Sequence, residues 1–371
     1  MVVGLLPAIR GGLGDLARTG QHSRLLDGYL TPYARTFSEL RYFSYLDESL
    51  ATYTDDPELL GRTRLFPGGR WHPWIYAWLM PLRHARAFRG CSVLRVFQVT
   101  GVIPAVVAKR LYGVPFVTTY GFWYAKLARS PATGWLRRMV ERWGLGTADA
   151  VIVTTPELGA HVAARIGADR VHLVPNGVDT TRFRPAARRA SRERTLMYVG
   201  RLSAEKNLGV LIEAAGKLAG RFDLRLVLIG QGPCLAELQA SAARRGVRVE
   251  FLPVVDHRRL PEVLAQADVF ILPSLTEGHP KVLLEAMSCG VPCVASNVDG
   301  NRAILEDGET GLLFEPRDSA GLADRLENVL AGDDLARRLS ERARARIVER
   351  YDLAALVARE IELLRRVAAS R

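Results

Sequence analysis

A chain of 371 residues with 48% hydrophobic and 24% charged residues has room for about two domains with sizeable cores, and its composition excludes a disordered, fibrous or low-complexity protein. No apolar run approaches the roughly 18 to 20 residues of a membrane-spanning helix, and Met1–Ile9 lacks a basic n-region, which argues against a signal peptide. The net charge of +12 is concentrated in the first half: residues 1–184 hold 23 Lys+Arg against 13 Asp+Glu, and residues 185–371 hold 28 against 26. In chain order, Val2–Ala8 reads as a buried strand running into the glycine-rich turn Gly11-Gly12-Leu13-Gly14 and a helix. Residues 30–90 show no clear period and stay unassigned. Ser92–Gln98 reads as a strand, Ile103–Leu111 as a helix, Pro115–Thr119 as a strand and Trp135–Trp143 as an amphipathic helix, with further strands at Ala150–Thr154 and Val171–Val174.

The stretch Pro175–Arg194, with Pro175-Asn176-Gly177, Arg184-Pro185 and the Ala/Arg-rich run Ala186–Arg194, has the composition of a linker. It separates a first domain, 1–178, from a second, 190–351; the last helix, within 352–371, is expected to cross back to the first. In the second half, strands are expected at Leu196–Val199, Leu224–Ile229, Val247–Phe251, Val269–Leu272 and Pro292–Ala295. They alternate with helices near Asn207–Leu218, Pro233–Arg244, Arg258–Ala265, Pro280–Ser288 and Asn301–Glu306, the pattern of a parallel sheet wrapped by helices. Gly290 stands where a left-handed helix cap belongs. The four cysteines, Cys91, Cys234, Cys289 and Cys293, lack disulfide or metal-ligand spacing and read as buried hydrophobes in a reducing cytoplasm.

Two segments carry chemistry. Gly200–Asn207 links a strand to a helix, where open α/β sheets bind ligands, and its cations Arg201 and Lys206 suit a diphosphate. In Glu277-Gly278-His279-Pro280-Lys281-Val282-Leu283-Leu284-Glu285, Pro280 suits the first helical position, so backbone N–H groups near 278–282 would attract an anion. Glu277 precedes the helix and Glu285 lies inside it, about 7.5 Å of rise beyond position 280. A carboxylate accepts two hydrogen bonds from a vicinal diol, so the two acids can grip a sugar and a ribose with phosphates between.

The glutamate pair with Ala286-Met287 and Gly290-Val291-Pro292 resembles the donor signature of the retaining glycosyltransferase family 4. Gly200–Asn207, Val174–Asp179 and Asn297–Phe314 resemble other parts of its pattern, and the likeness is dense over about residues 171–316. The resemblance implies a GT-B architecture, two doubly wound Rossmann-like α/β domains facing across a cleft. It implies a nucleotide-diphosphate sugar as donor, bound mainly by the second domain, and transfer with retention of configuration. The implied roles are Arg201 and Lys206 at the leaving diphosphate, Glu277 at the donor sugar, Glu285 at the ribose, and backbone contacts from Gly12 and from Gly278, His279, Pro280 and Lys281. No Asp-x-Asp occurs, so neither a bridging metal nor any other cofactor is expected.

Many members of that family carry a His after the strand at 116–119; here the chain reads Thr118-Thr119-Tyr120-Gly121-Phe122, and Tyr120 is either a sugar contact or a core aromatic. A sugar-nucleotide epimerase and a non-catalytic nucleotide-sugar-binding protein share the architecture and stay open as rivals. A dinucleotide oxidoreductase fits less well, because Ala17 stands where the third fingerprint glycine belongs. Residues 62–142 hold 14 basic residues and one acid, Glu141, and all six tryptophans (71, 74, 78, 123, 135, 143) lie in or just beyond that window. The mix reads three ways: a solvated arginine surface over core tryptophans, a face for anionic lipid or a lipid-linked acceptor, or a nucleic-acid surface, for which no recognition motif is present. The acceptor is expected to be lipid-linked or a polysaccharide precursor, and the protein to be cytoplasmic with a peripheral place on the inner membrane face.

Overall fold

The computed structural model describes residues 1–123, 131–186 and 192–370, and by its internal contacts the chain forms two compact units, 1–175 with 354–371, and 176–353. The first unit holds seven strands: β1 (Val2–Leu6), β2 (Glu39–Phe43), β3 (Thr63–Phe66), β4 (Val93–Val96), β5 (Phe116–Tyr120), β6 (Ala150–Val153) and β7 (Val171–Leu173). All pairings are parallel, in the order β3-β2-β1-β4-β5-β6-β7. Sequences such as VLRV and AVIV are buried on both faces, the reason parallel strands read as unbroken apolar runs.

The second unit holds β8 (Arg194–Val199), β9 (Leu224–Ile229), β10 (Val249–Leu252), β11 (Val269–Leu272), β12 (Cys293–Ser296) and β13 (Leu312–Phe314), again all parallel, in the order β10-β9-β8-β11-β12-β13. Strand order reverses direction between β1 and β4 in one unit and between β8 and β11 in the other. Such switch points leave a crevice at the carboxyl ends of the two flanking strands. Gly290 takes the left-handed conformation (φ 70°) after the helix Lys281–Ser288.

The unassigned stretch 30–90 contains β2, β3 and the helices Thr31–Thr36, Pro57–Arg62 and Pro73–Arg83. Asp56 caps the second of these, accepting from the N–H of Glu58 and Leu59. The expected linker needs correction: Val178 and Phe183 are buried in the core of the second unit, and Asp179 turns the chain by accepting from Thr181 and Arg182. Apolar anchors thus make 176–186 part of that unit; of the Ala/Arg-rich run, 187–191 lie outside the described residues. β13, which the sequence reading lacked as a strand, pairs with β12. Cys91, Cys289 and Cys293 are buried free thiols, while Cys234 is only partly buried.

Candidate functional site

The loops that follow β8 and β11 are stapled to each other at the switch point of the second sheet. The Leu275 N–H donates to the Glu205 carbonyl (2.8 Å). Asn207, in the left-handed conformation at φ 53°, sends its side-chain amide to the carbonyls of Pro273 (3.2 Å) and Pro316 (2.5 Å). Asn tolerates that conformation better than a branched residue does, which explains its place before the helix Leu208–Leu218.

These staples set Lys206 against Glu277, with Nζ to Oε1 at 2.5 Å. The Ser274 hydroxyl donates to the same oxygen at 2.7 Å. Both bonds fall on Oε1, so Oε2 retains its capacity to accept, and the ammonium retains two further donors. Arg201 begins the same loop, exposed to solvent, its carbonyl fixed by the Tyr198 hydroxyl at 2.9 Å. The positive potential of the loop registers on Glu205: partial burial raises its pKa, but the Ser203 hydroxyl, with Lys206 and Arg201 nearby, holds it below the usual carboxylate range.

A floor supports the second loop. The Ser296 hydroxyl donates to the Ser274 carbonyl at 2.5 Å, and the Asn176 side chain to the His279 carbonyl at 2.7 Å. A Cβ on Gly300 would lie 2.5 Å from the Glu277 carbonyl oxygen and 2.6 Å from that of Gly278, so this glycine is what lets the loop sit down on the next turn. The helix begins at Lys281 with Pro280 as its extended N-cap, one residue later than the sequence reading placed it.

His279 is buried beside the Tyr351 ring, centroids 5.5 Å apart. Burial, aided by Lys281, drives its pKa down from 6.5 to about 3. It is therefore neutral in the fold wherever the unfolded chain, below about pH 6.5, binds a proton. The unfolded state takes up more protons in that window, so stability is intact above pH 6.5 and falls as pH drops toward 3. Replacing His279 with Asn is expected to remove roughly 2 kcal/mol of the stability lost between pH 7 and pH 4.5, measured by urea unfolding at both. An unchanged difference would show that His279 titrates normally.

Glu285 is 2% exposed, with Oε1 hydrogen-bonded to His257 Nε2 at 2.8 Å. Leu283 through Ser288 are all buried, so the helix carries its carboxylate into the interior. His257, packed on the Phe183 ring at 5.0 Å, is a partner of Glu285 that the sequence reading did not single out; a lone His after β10 gives no local signal.

In the first unit, Gly12 is the extended N-cap of the helix Leu13–Arg18. Its turn already holds an anion: the N–H groups of Leu13 and Gly14 donate to the two oxygens of Glu48 at 3.0 and 2.8 Å, and Ser44 Oγ donates to Glu48 at 2.5 Å. A Cβ on Gly12 would lie 2.6 Å from Glu48 Oε1, so glycine makes room for that carboxylate. Tyr120 is a core aromatic, 1% exposed, among Trp123 and His161, with burial pushing its hydroxyl up to about 12.

Comparison with known proteins bears on the family and the fold. A family model described as glycosyl transferases group 1 matches residues 179–346, and one described as glycosyltransferase family 4 matches residues 44–182. The chain is 32% identical over 303 residues to alpha-maltose-1-phosphate synthase of Mycolicibacterium smegmatis, covering 71% of this chain and 76% of that protein. It is 35% identical over 228 residues to D-inositol 3-phosphate glycosyltransferase of Nocardia farcinica, covering 56% of this chain but only 50% of that relative's length. Among solved structures, sucrose-phosphate synthase of Thermosynechococcus elongatus superposes with a TM-score of 0.84 at 23% identity over the whole of both chains. Anabaena HepE in complex with UDP-glucose gives 0.78 at 18% identity over 98% of each. Both have the GT-B fold of two Rossmann-like units.

Proposed function

The chain belongs to glycosyltransferase family 4, and from that premise we propose that its second unit binds a nucleotide-diphosphate sugar whose sugar is passed, with retention of anomeric configuration, to an acceptor hydroxyl. The acceptor is a lipid-linked or polysaccharide precursor. The observation that carries the reading is the Lys206–Glu277 pair, 2.5 Å apart at the carboxyl ends of β8 and β11. Lys206 and Arg201 stabilise the departing diphosphate by fixed positive charge, the part a metal ion plays elsewhere, so no metal or other cofactor is required. Glu277 accepts from a hydroxyl of the sugar through Oε2. The N–H groups at the start of the helix Lys281–Ser288 face developing negative charge, with Gly278, His279 and Pro280 shaping the approach. The UDP-glucose bound in HepE, of the same fold, agrees with such a donor.

Glu285 serves the ribose while His257, hydrogen-bonded to its Oε1, fixes its orientation. The test is a thermal-shift panel of nucleoside diphosphates and nucleotide-sugars. One base should raise the melting temperature selectively, because a ligand at a hundred times its Kd stabilises by about 2.7 kcal/mol. Glu285→Ala and His257→Ala should each weaken that ligand by about tenfold or more. If no nucleotide shifts the wild type, the donor assignment fails. If both variants bind as the wild type does, Glu285 is a structural carboxylate only.

A further inference from the structure

The helix Pro73–Arg83 is apolar on all sides, yet only one side is covered. Tyr76, Ala77, Met80 and Pro81 are buried in the first unit. On the opposite side Ile75, Trp78, Leu79 and Leu82, spaced i, i+3, i+4, i+7, face solvent with exposures of 37–55%, and Trp71 extends the row at 54%. A helix of a water-soluble surface places polar residues there. Of the tryptophans, for which core and lipid-facing placements both stood open, those at 71, 78 and 135 are at least half exposed.

The row continues onto a second helix. The Trp78 ring stacks on Trp143 of the helix Pro131–Thr147, centroids 5.4 Å apart and planes 25° from parallel. That helix exposes Trp135 and Met139 beside the exposed Arg138 and Arg142. Arg83, Arg86 and Arg110 are exposed around the first helix, and among the described residues these five arginines enter no ion pair. The single acid of residues 62–142, Glu141, is buried, so the described part of the window offers no exposed carboxylate.

We propose that this face of the first unit docks on an anionic lipid bilayer, lying in the headgroup layer with Trp71, Ile75, Trp78, Leu79 and Leu82 inserted to the acyl boundary. Indoles and arginines together match the interfacial region, where one end of each side chain is apolar and the other is wet, and the aliphatic members require hydrocarbon. Anionic headgroups supply the charge that the arginines lack. Among the described residues no helix is long and apolar enough to cross the membrane, so the contact is superficial. A second copy of the chain is a poor occupant, since it would set arginines against arginines. Nucleic acid satisfies the cations but leaves Ile75, Leu79 and Leu82 in water. The inference concerns the first unit alone and does not rest on the donor reading.

The test is co-sedimentation of the full chain with vesicles of phosphatidylcholine alone or mixed with phosphatidylglycerol, at low and high salt. The wild type should bind the mixed vesicles at least about tenfold more tightly than the neutral ones, with loss at high salt. The variant Ile75→Ser/Trp78→Ser/Leu82→Ser should lose at least about tenfold on mixed vesicles, and Arg138→Glu/Arg142→Glu should lose the preference for the anionic lipid, both with the wild-type circular dichroism melt. Three results overturn the proposal. One is equal binding of the wild type to both vesicles, or to neither. Another is displacement from vesicles by single-stranded RNA with the triple serine variant still binding RNA like the wild type. The third is a fall in solution mass for the serine variant, which marks a self-association face.

Discussion

Lys206→Ala is expected to lower turnover, read as nucleoside diphosphate released from the donor, by about 10² to 10³-fold, the scale for losing one fixed charge-stabilising donor. The ammonium is held at the end of a loop pinned at Glu205, by Leu275, and at Asn207, by Pro273 and Pro316, so it needs no reorganisation as charge develops. Lys206→Arg should recover little of the loss, because a planar fork does not reproduce a point charge 2.5 Å from Glu277. Glu277→Gln should lower turnover while leaving nucleoside diphosphate affinity within about twofold, since the part of the donor it is proposed to touch is the sugar, and the loop that carries Lys206 keeps its other staples. The double variant should lose less than the product of the two single losses, because each substitution already breaks the shared bond. A Lys206→Ala enzyme that turns over within about twofold of the wild type would remove the cation from the mechanism.

Much of this site is readable locally. The loop after β8 and the loop after β11 announce themselves because strand, cation-bearing turn and helix follow one another within a few residues, and Gly290 marks the helix end by the one conformation it alone adopts freely. What escaped has distant causes. Glu48 fills the glycine-rich turn from 34 residues away, in a stretch whose short elements, such as ELRYF with Arg41 ion-paired to Glu39, break any period. Spacing along a helix placed Glu285 at a plausible distance from Glu277, but spacing carries no information on burial. The helix is buried from Leu283 to Ser288, and His257 from beyond β10 takes the carboxylate. The basic window gave the composition but left the depth of its tryptophans open. Whether a Trp in an amphipathic run faces core or water depends on which neighbour covers it, and Ile75 and Trp78 are both left about half exposed.

Arg95 is the extreme case, a guanidinium inside the apolar strand VLRV whose partner, Glu360, stands 265 residues on. Both side chains are at most 5% exposed. Arg95 donates from Nε to Glu360 Oε1 at 2.5 Å, from Nη1 to the Val96 carbonyl at 2.6 Å and from Nη2 to Thr119 Oγ1 at 2.8 Å; the Tyr33 hydroxyl also donates to Glu360. Burial alone would lower the Arg95 pKa, and the Glu360 and Tyr33 oxygens outweigh it and raise it. The cluster clasps the terminal helix, Leu353–Ala369, onto the first unit. Glu360→Ala should therefore cost about 3–5 kcal/mol in the unfolding of that unit, because the guanidinium stays buried with its countercharge gone. All six tryptophans lie between 71 and 143, so indole emission during urea unfolding reports this unit and not the other. At a slope of about 2 kcal/mol per molar urea the midpoint should fall by about 1.5–2.5 M. Arg95→Met/Glu360→Leu should restore most of the loss, since apolar groups of similar volume replace a buried pair at little cost. If the double variant is no more stable than Glu360→Ala, the loss comes from packing of the helix rather than from an orphaned charge, and the clasp is not electrostatic.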